Sequence, residues 1–144
     1  MSERPLYVHR SAIWFDELDM VGVLHNARYA IHVERALSAW YKSLPETDPS
    51  DALMVVKRYE IEFIAPFTQE RGELTVELTL QHLGTTSAVW SFRCLSYAQD
   101  EGGMPDPNCR ELVHARGTRA NVKVSPGDLR PAPWSDRLRS ILAG

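Results

Sequence analysis

The chain has 144 residues, 44% of them hydrophobic and 24% charged, with a formal net charge of −3. That length suits one domain able to bury its own core, and the composition is too apolar for a disordered chain. The acidic balance argues against a nucleic-acid grip, and no run of about twenty apolar residues offers a membrane helix. The opening residues Met1-Ser2-Glu3-Arg4-Pro5 lack the pattern of a secretory signal. Cys94 and Cys109 stand in unrelated contexts, which suits a reducing compartment and argues against a disulfide framework or zinc knuckle. The expectation is a cytoplasmic protein that binds neither nucleic acid nor membrane.

Taken in chain order, residues 6–15 read as a strand. Tyr7, His9, Ser11, Ile13 and Phe15 share one face, and the apolar groups on both faces suggest cover on more than one side. A turn-like stretch, 16–25, leads to a helical pattern at about 26–44. Ala30, Val33, Leu37, Trp40 and Leu44 form its apolar stripe, with Arg28, His32, Arg35 and Lys42 lying largely off it. Asn26 is the expected N-cap, and Pro45 marks the end. Strands are then expected at 53–64, 73–80, 87–98 and 111–124, with Gly84-Thr85-Thr86 as a hairpin turn and 99–110 as a Gly- and Pro-bearing loop. An irregular stretch at 127–133 precedes a short helix at 134–142. One helix among runs of strands points to α+β, an antiparallel sheet with the helix on one face, and the exposed sheet edge favours oligomers.

Chemistry concentrates in residues 16–29. Carboxylates of Asp16, Glu17 and Asp19 sit in a turn running into the start of the long helix. The first turn of a helix has unpaired N–H groups and a partial positive charge, so it can hold an oxyanion. A carboxylate just before it can act as base or nucleophile on a carbonyl so polarised. Gly22 permits a positive φ or a close approach. Acidic caps before helices are common, and the residues alone leave both readings open.

The segment resembles the signature of the 4-hydroxybenzoyl-CoA thioesterase-like branch of hotdog thioesterases, D-x-D-x-x-G-H-V-N-N-x-x-Y followed by E-x-A-R on a helix. Asp19, Gly22, Asn26, Tyr29, Glu34 and Ala36 fall on matching positions. Glu17, Val23, Leu24, His25 and Leu37 depart from it. The order of elements over about 6–124 also matches, and Arg130-Pro131-Ala132-Pro133 resembles the proline-bearing ends of that family. The resemblance implies one hotdog domain over 1–144, with core 6–124 and tail 125–144: a five-stranded antiparallel sheet around one long helix. It implies hydrolysis of an acyl-CoA, or of an acyl group on carrier protein, without cofactor or metal, by a homodimer or homotetramer with sites between subunits. Asp19 takes the catalytic position as general base or nucleophile, and the Asn26 amide that of oxyanion donor. Gly22, His25 and Tyr29 are expected to contact substrate, and Glu17 to be a supporting or structural acid.

Two other readings accompany it: a non-catalytic acyl-thioester binder, and a hotdog hydratase or dehydratase. The last needs a His–acid pair near the central helix, for which the sequence offers only His25. His9, His32, His82 and His114 are too scattered for a metal site, and no G-x-S-x-G elbow is present. Glu34 with Arg35 reads as a solvated or interface pair. Arg58, Arg93, Arg116, Arg119 and Lys123 read as surface charges.

Overall fold

The computed structural model describes residues 4–97, 102 and 110–143. Five strands, β1 (Tyr7–Ala12), β2 (Met54–Phe63), β3 (Glu73–Leu83), β4 (Ser87–Tyr97) and β5 (Glu111–Lys123), form one antiparallel sheet in the order β1-β3-β4-β5-β2. The helix α1 (Asn26–Ser43) lies on one face, and a second helix, α2 (Asp136–Ala143), follows the last strand. No helix among the described residues is long and apolar enough to cross a membrane. The expected loop 99–110, apart from Gly102 and Arg110, falls outside the described residues.

Alternation decides which sheet face meets the helix. In β3, Leu74, Val76 and Leu78 are fully buried, and in β4 Trp90, Phe92 and Cys94 repeat the pattern. From the helix come Val33, Ala36, Leu37 and Trp40. Trp40 meets Trp90 edge to face, with ring centroids 4.9 Å apart, an arrangement that adds to the area buried. Gly84 donates to the Ser87 carbonyl at 2.8 Å and closes the β3–β4 hairpin at the expected place.

Three expectations change. β1 pairs only with β3 and is an edge strand; its residues alternate between half-buried and exposed, so it is covered on one face rather than two. The cap of α1 is His25, one residue earlier than expected: its Nδ1 accepts from the Ala27 amide at 3.1 Å, and Asn26 is the first helical residue. Arg119 and Lys123 are not surface charges, being 2% and 5% exposed. They lie on the β5 face that packs inward.

Lys123 donates to Asp51 Oδ1 at 2.8 Å, and both side chains are buried. Asp51 also accepts from the Ser135 amide at 3.0 Å and from its hydroxyl. One carboxylate therefore joins the turn before β2, the end of β5 and the segment leading into α2. Trp134 then buries its ring and donates Nε1–H to the Ser87 carbonyl at 3.0 Å.

The sheet closes tightly at one point. Gly117 of β5 sits opposite Ile61 and Phe92, and a Cβ there would lie 1.9 Å from the Glu60 carbonyl oxygen. Backbone cannot yield as a flexible side chain can. Gly117→Ala should therefore cost on the order of 1–3 kcal/mol, the usual range for overpacking. Denaturant unfolding checks this, and an unchanged midpoint would show that β2 and β5 can separate freely.

Candidate active site

The stretch between β1 and α1 is a small hairpin-like lobe. Leu18 and Leu24 bridge its ends, Val23 bridges to Thr68, and Leu24 donates to the Phe67 carbonyl at 2.8 Å. At its tip the Gly22 amide donates to the Asp19 carbonyl at 3.0 Å, with Gly22 at φ +80°. Nothing lies within 4 Å of where a Gly22 Cβ would be. Its glycine therefore answers to conformation, not to crowding.

Asp19 is half-buried at the start of that turn. Its Oδ1 accepts from the amides of Val21, at 2.9 Å, and Val23, at 3.3 Å. Met20 and Val21 between them are exposed. Beside the lobe, the first turn of α1 opens on a cleft of about 240 Å³ lined by Val23, Asn26, Tyr29, Phe63, Ile64 and His114 among others. The Asn26 amide, being first in the helix, has no carbonyl one turn behind it. Tyr29 is 2% exposed, and burial pushes its hydroxyl up to about 12, so it remains a phenol. It is at once core residue and cleft wall. His25 is exposed and spends Nδ1 on the cap, so any proton on its neutral ring is at Nε2. Asp19 does not itself line the cleft.

Under the lobe lies a polar cluster that helix periodicity misassigns. His32, expected off the apolar stripe, is fully buried, and its Nε2 is 2.7 Å from Glu17 Oε1. Its Nδ1 is 3.1 Å from the Ser11 hydroxyl, and Glu17 Oε2 accepts from the Trp14 amide at 2.9 Å. A His–acid pair near the central helix therefore exists, and it is not His25 that forms it. Neither partner lines the cleft, so the pair braces the lobe rather than facing a substrate there. In sequence the two stand fifteen residues apart, one within the turn and one inside the helix, without any spacing rule to join them.

His114 is also fully buried: Nδ1 lies 3.0 Å from the Ala65 carbonyl and Nε2 lies 2.7 Å from the Ser96 hydroxyl, to which Arg71 donates at 2.9 Å. The carbonyl fixes the proton on Nδ1 and leaves Nε2 to accept. Burial pushes the Cys94 thiol up to about 12, which removes it as a nucleophile. Glu34 pairs with Arg119, at 2.6 Å, and not with Arg35 as expected.

The thioesterase superfamily profile matches residues 21–100, more than half of the chain. The chain belongs to that superfamily, a thioester hydrolase of the hotdog fold. Among solved structures, a thioesterase from Thermus thermophilus complexed with coenzyme A and Zn is similar, with 20% identity, TM-score 0.74, and coverage of 97% of this chain and 99% of that one. A 1,4-dihydroxy-2-naphthoyl-CoA thioesterase from Synechocystis aligns at 15% identity and TM-score 0.69, over 95% of each chain. A 4-hydroxybenzoyl CoA thioesterase mutant complexed with 4-hydroxybenzoyl CoA aligns at 13% identity and TM-score 0.74, over 93% of this chain and 96% of that one. No curated protein sequence gives a significant match.

The buried pair makes the fold acid-sensitive. Burial lowers the His32 pKa from its ordinary 6.5, with the Glu17 contact opposing, and burial likewise lowers His114. Burial alone would raise Glu17, but the Trp14 amide and His32 outweigh it, and its carboxyl sits below the ordinary 4.5. All three bind protons less readily folded than unfolded. Stability is therefore full above 6.5 and falls as pH descends through it, with the Glu17 share lost below 4.5. The melting temperature should drop between about pH 7 and pH 5, and His32→Asn should flatten that slope. A flat wild-type profile over this range would contradict a neutral buried imidazole.

Proposed function

We propose that this chain hydrolyses an acyl-CoA thioester, or an acyl group on a carrier protein, with Asp19 as the reacting carboxylate. The observation that carries this is the lobe itself: a half-buried aspartate fixed by main-chain amides immediately before the helix start. Both amides bond Oδ1, which holds the carboxylate in one orientation and leaves Oδ2 for chemistry. In one route Oδ2 takes a proton from water as that water attacks the thioester carbon. In the other it attacks directly and forms an anhydride that water then opens. Either way negative charge grows on the thioester oxygen, and the Asn26 amide with the positive end of α1 stabilises it. The thiol leaves with a proton and the free acid remains.

The acyl group would rest against Tyr29 in the cleft, with Gly22 and His25 nearer its mouth. Part of the cleft's apolar wall is uncovered, since Phe63 and Ile64 are each 46% exposed. They lie at the end of β2, an edge strand whose Val55 and Val56 are exposed too. Such an edge favours a second copy, and we infer a homodimer with sheets joined edge to edge and a site at each cleft, open to assembly into a homotetramer. The thioesterase structures bound to coenzyme A or to 4-hydroxybenzoyl CoA support CoA esters as the first substrates to try.

Release of free thiol from a panel of aromatic and aliphatic acyl-CoAs tests the reading. Asp19→Asn should lower kcat by about 10²–10⁴-fold, the span of a positioned acid–base group. Equal rates for the two proteins would overturn the assignment. The amide of Asn26 can be deleted without disturbing the fold. His25 is already extended at φ −62° and ψ 137°, as a residue before proline must be, and proline suits the first helical position. Asn26→Pro should therefore keep the melting temperature while lowering kcat by about 10²–10³-fold.

A further inference from the structure

A second cavity lies at the opposite end of α1. Trp40 is fourteen residues beyond Asn26, about 21 Å along the helix axis. Here α1, the sheet and α2 enclose about 190 Å³ lined by Leu37, Trp40, Trp90, Trp134, Leu138 and Arg119 among others. The walls are mostly apolar and aromatic, with Ser38, Lys42 and Ala52 at an exposed rim. A dry apolar cavity of about 150 Å³ is enough to admit benzene.

One group does not belong in such a space. Arg119 is 2% exposed, and neither its Nε nor its Nη1 has a hydrogen-bond acceptor. Glu34 Oε2 lies 2.6 Å from Nη1, but no N–H points along that contact, and the Glu34 side chain is 58% exposed. A guanidinium cannot shed its proton, so its desolvation must be offset by an anion it bonds well. Glu34 is screened by water and badly aligned, and it supplies only part of this. Asp51 also reaches the wall, but Lys123 neutralises it at 2.8 Å. Asn121, another wall residue, has a buried Oδ1 without a partner. Its amide can turn to offer either end to a ligand.

We propose that this cavity binds a small apolar carboxylate, a ring or chain about the size of phenylacetate, whose carboxylate is held by Arg119. The tail packs among the three tryptophans, and one carboxylate oxygen accepts from the Arg119 Nε–H, displacing or outcompeting Glu34. This site is independent of the hydrolytic reading, because none of its residues lines the cleft beside Asn26.

Three of the chain's four tryptophans face the cavity, and the fourth, Trp14, is 68% exposed. Intrinsic fluorescence therefore reports occupancy. Phenylacetate is titrated into the wild-type protein beside its neutral counterparts phenylacetamide and 2-phenylethanol. The anion should bind about tenfold more tightly, the worth of one hydrogen bond to a charged group. Arg119→Gln should erase that preference, and Glu34→Gln, which removes the competing carboxylate, should tighten phenylacetate several-fold. Equal binding of anion and neutral probes, no response to phenylacetate, or weaker binding in Glu34→Gln would overturn the proposal; the first and last stand even if Arg119→Gln does not fold. Repeating the titration on Asp19→Asn separates the two sites. Unchanged affinity places the probe at Arg119, whereas an affinity that moves with residue 19, or that coenzyme A abolishes, assigns it to the cleft and sinks the idea.

Discussion

One carboxylate holds the working end of this molecule in place. Glu17 accepts from the Trp14 amide with one oxygen and meets His32 with the other, while its carbonyl takes the His25 amide at 3.0 Å. Those bonds tie the end of β1, the lobe and α1 to one point. Without them the lobe would be anchored mainly by the Val23–Thr68 bridge and the Leu24 amide on the Phe67 carbonyl. A buried charge is costly unless bonded on every side, and here each oxygen has its own partner. The position of Asp19, two residues on, is thus set by a group with no direct part in the cleft.

The architecture is legible wherever periodicity and burial agree. Leu74, Val76 and Leu78 alternate without a fault, and the stripe from Val33 to Trp40 repeats at helical spacing; both face the core. For Gly22 the sequence leaves positive φ and close approach both open, and the φ of +80° with empty space around the Cβ position selects the first. The ends of elements are less legible, and the cap moves from Asn26 to His25 because either side chain can accept from the first turn.

The buried polar groups are not legible, and the reason is general. Sorting His32, Arg119 and Lys123 by residue type averages over environments. Their burial depends on partners far along the chain: Glu17 for His32, and Asp51, seventy-two residues away, for Lys123. Strand period carries more in β5, where Ala115, Arg119, Asn121 and Lys123 occupy one face. Of the candidate site, the sequence shows the segment but not its bracing. The resemblance points to residues 19 to 29, whereas Phe63, Ile64 and His114 enter the cleft only through the tertiary fold.

The clamp at Asp51 bears on how the chain comes together in time. Ser135 reaches Asp51 across eighty-four residues, and Trp134 closes on a hairpin made nearly fifty positions earlier. The pairings of β1 with β3 and of β2 with β5 are comparably long-range, so the whole fold waits on distant segments meeting. Trp134 and Ser135 follow all five strands in chain order, so during synthesis the tryptophan-lined chamber cannot close before that last stretch is made. A chain without that stretch would leave the Trp40 and Trp90 wall without its Trp134 cover.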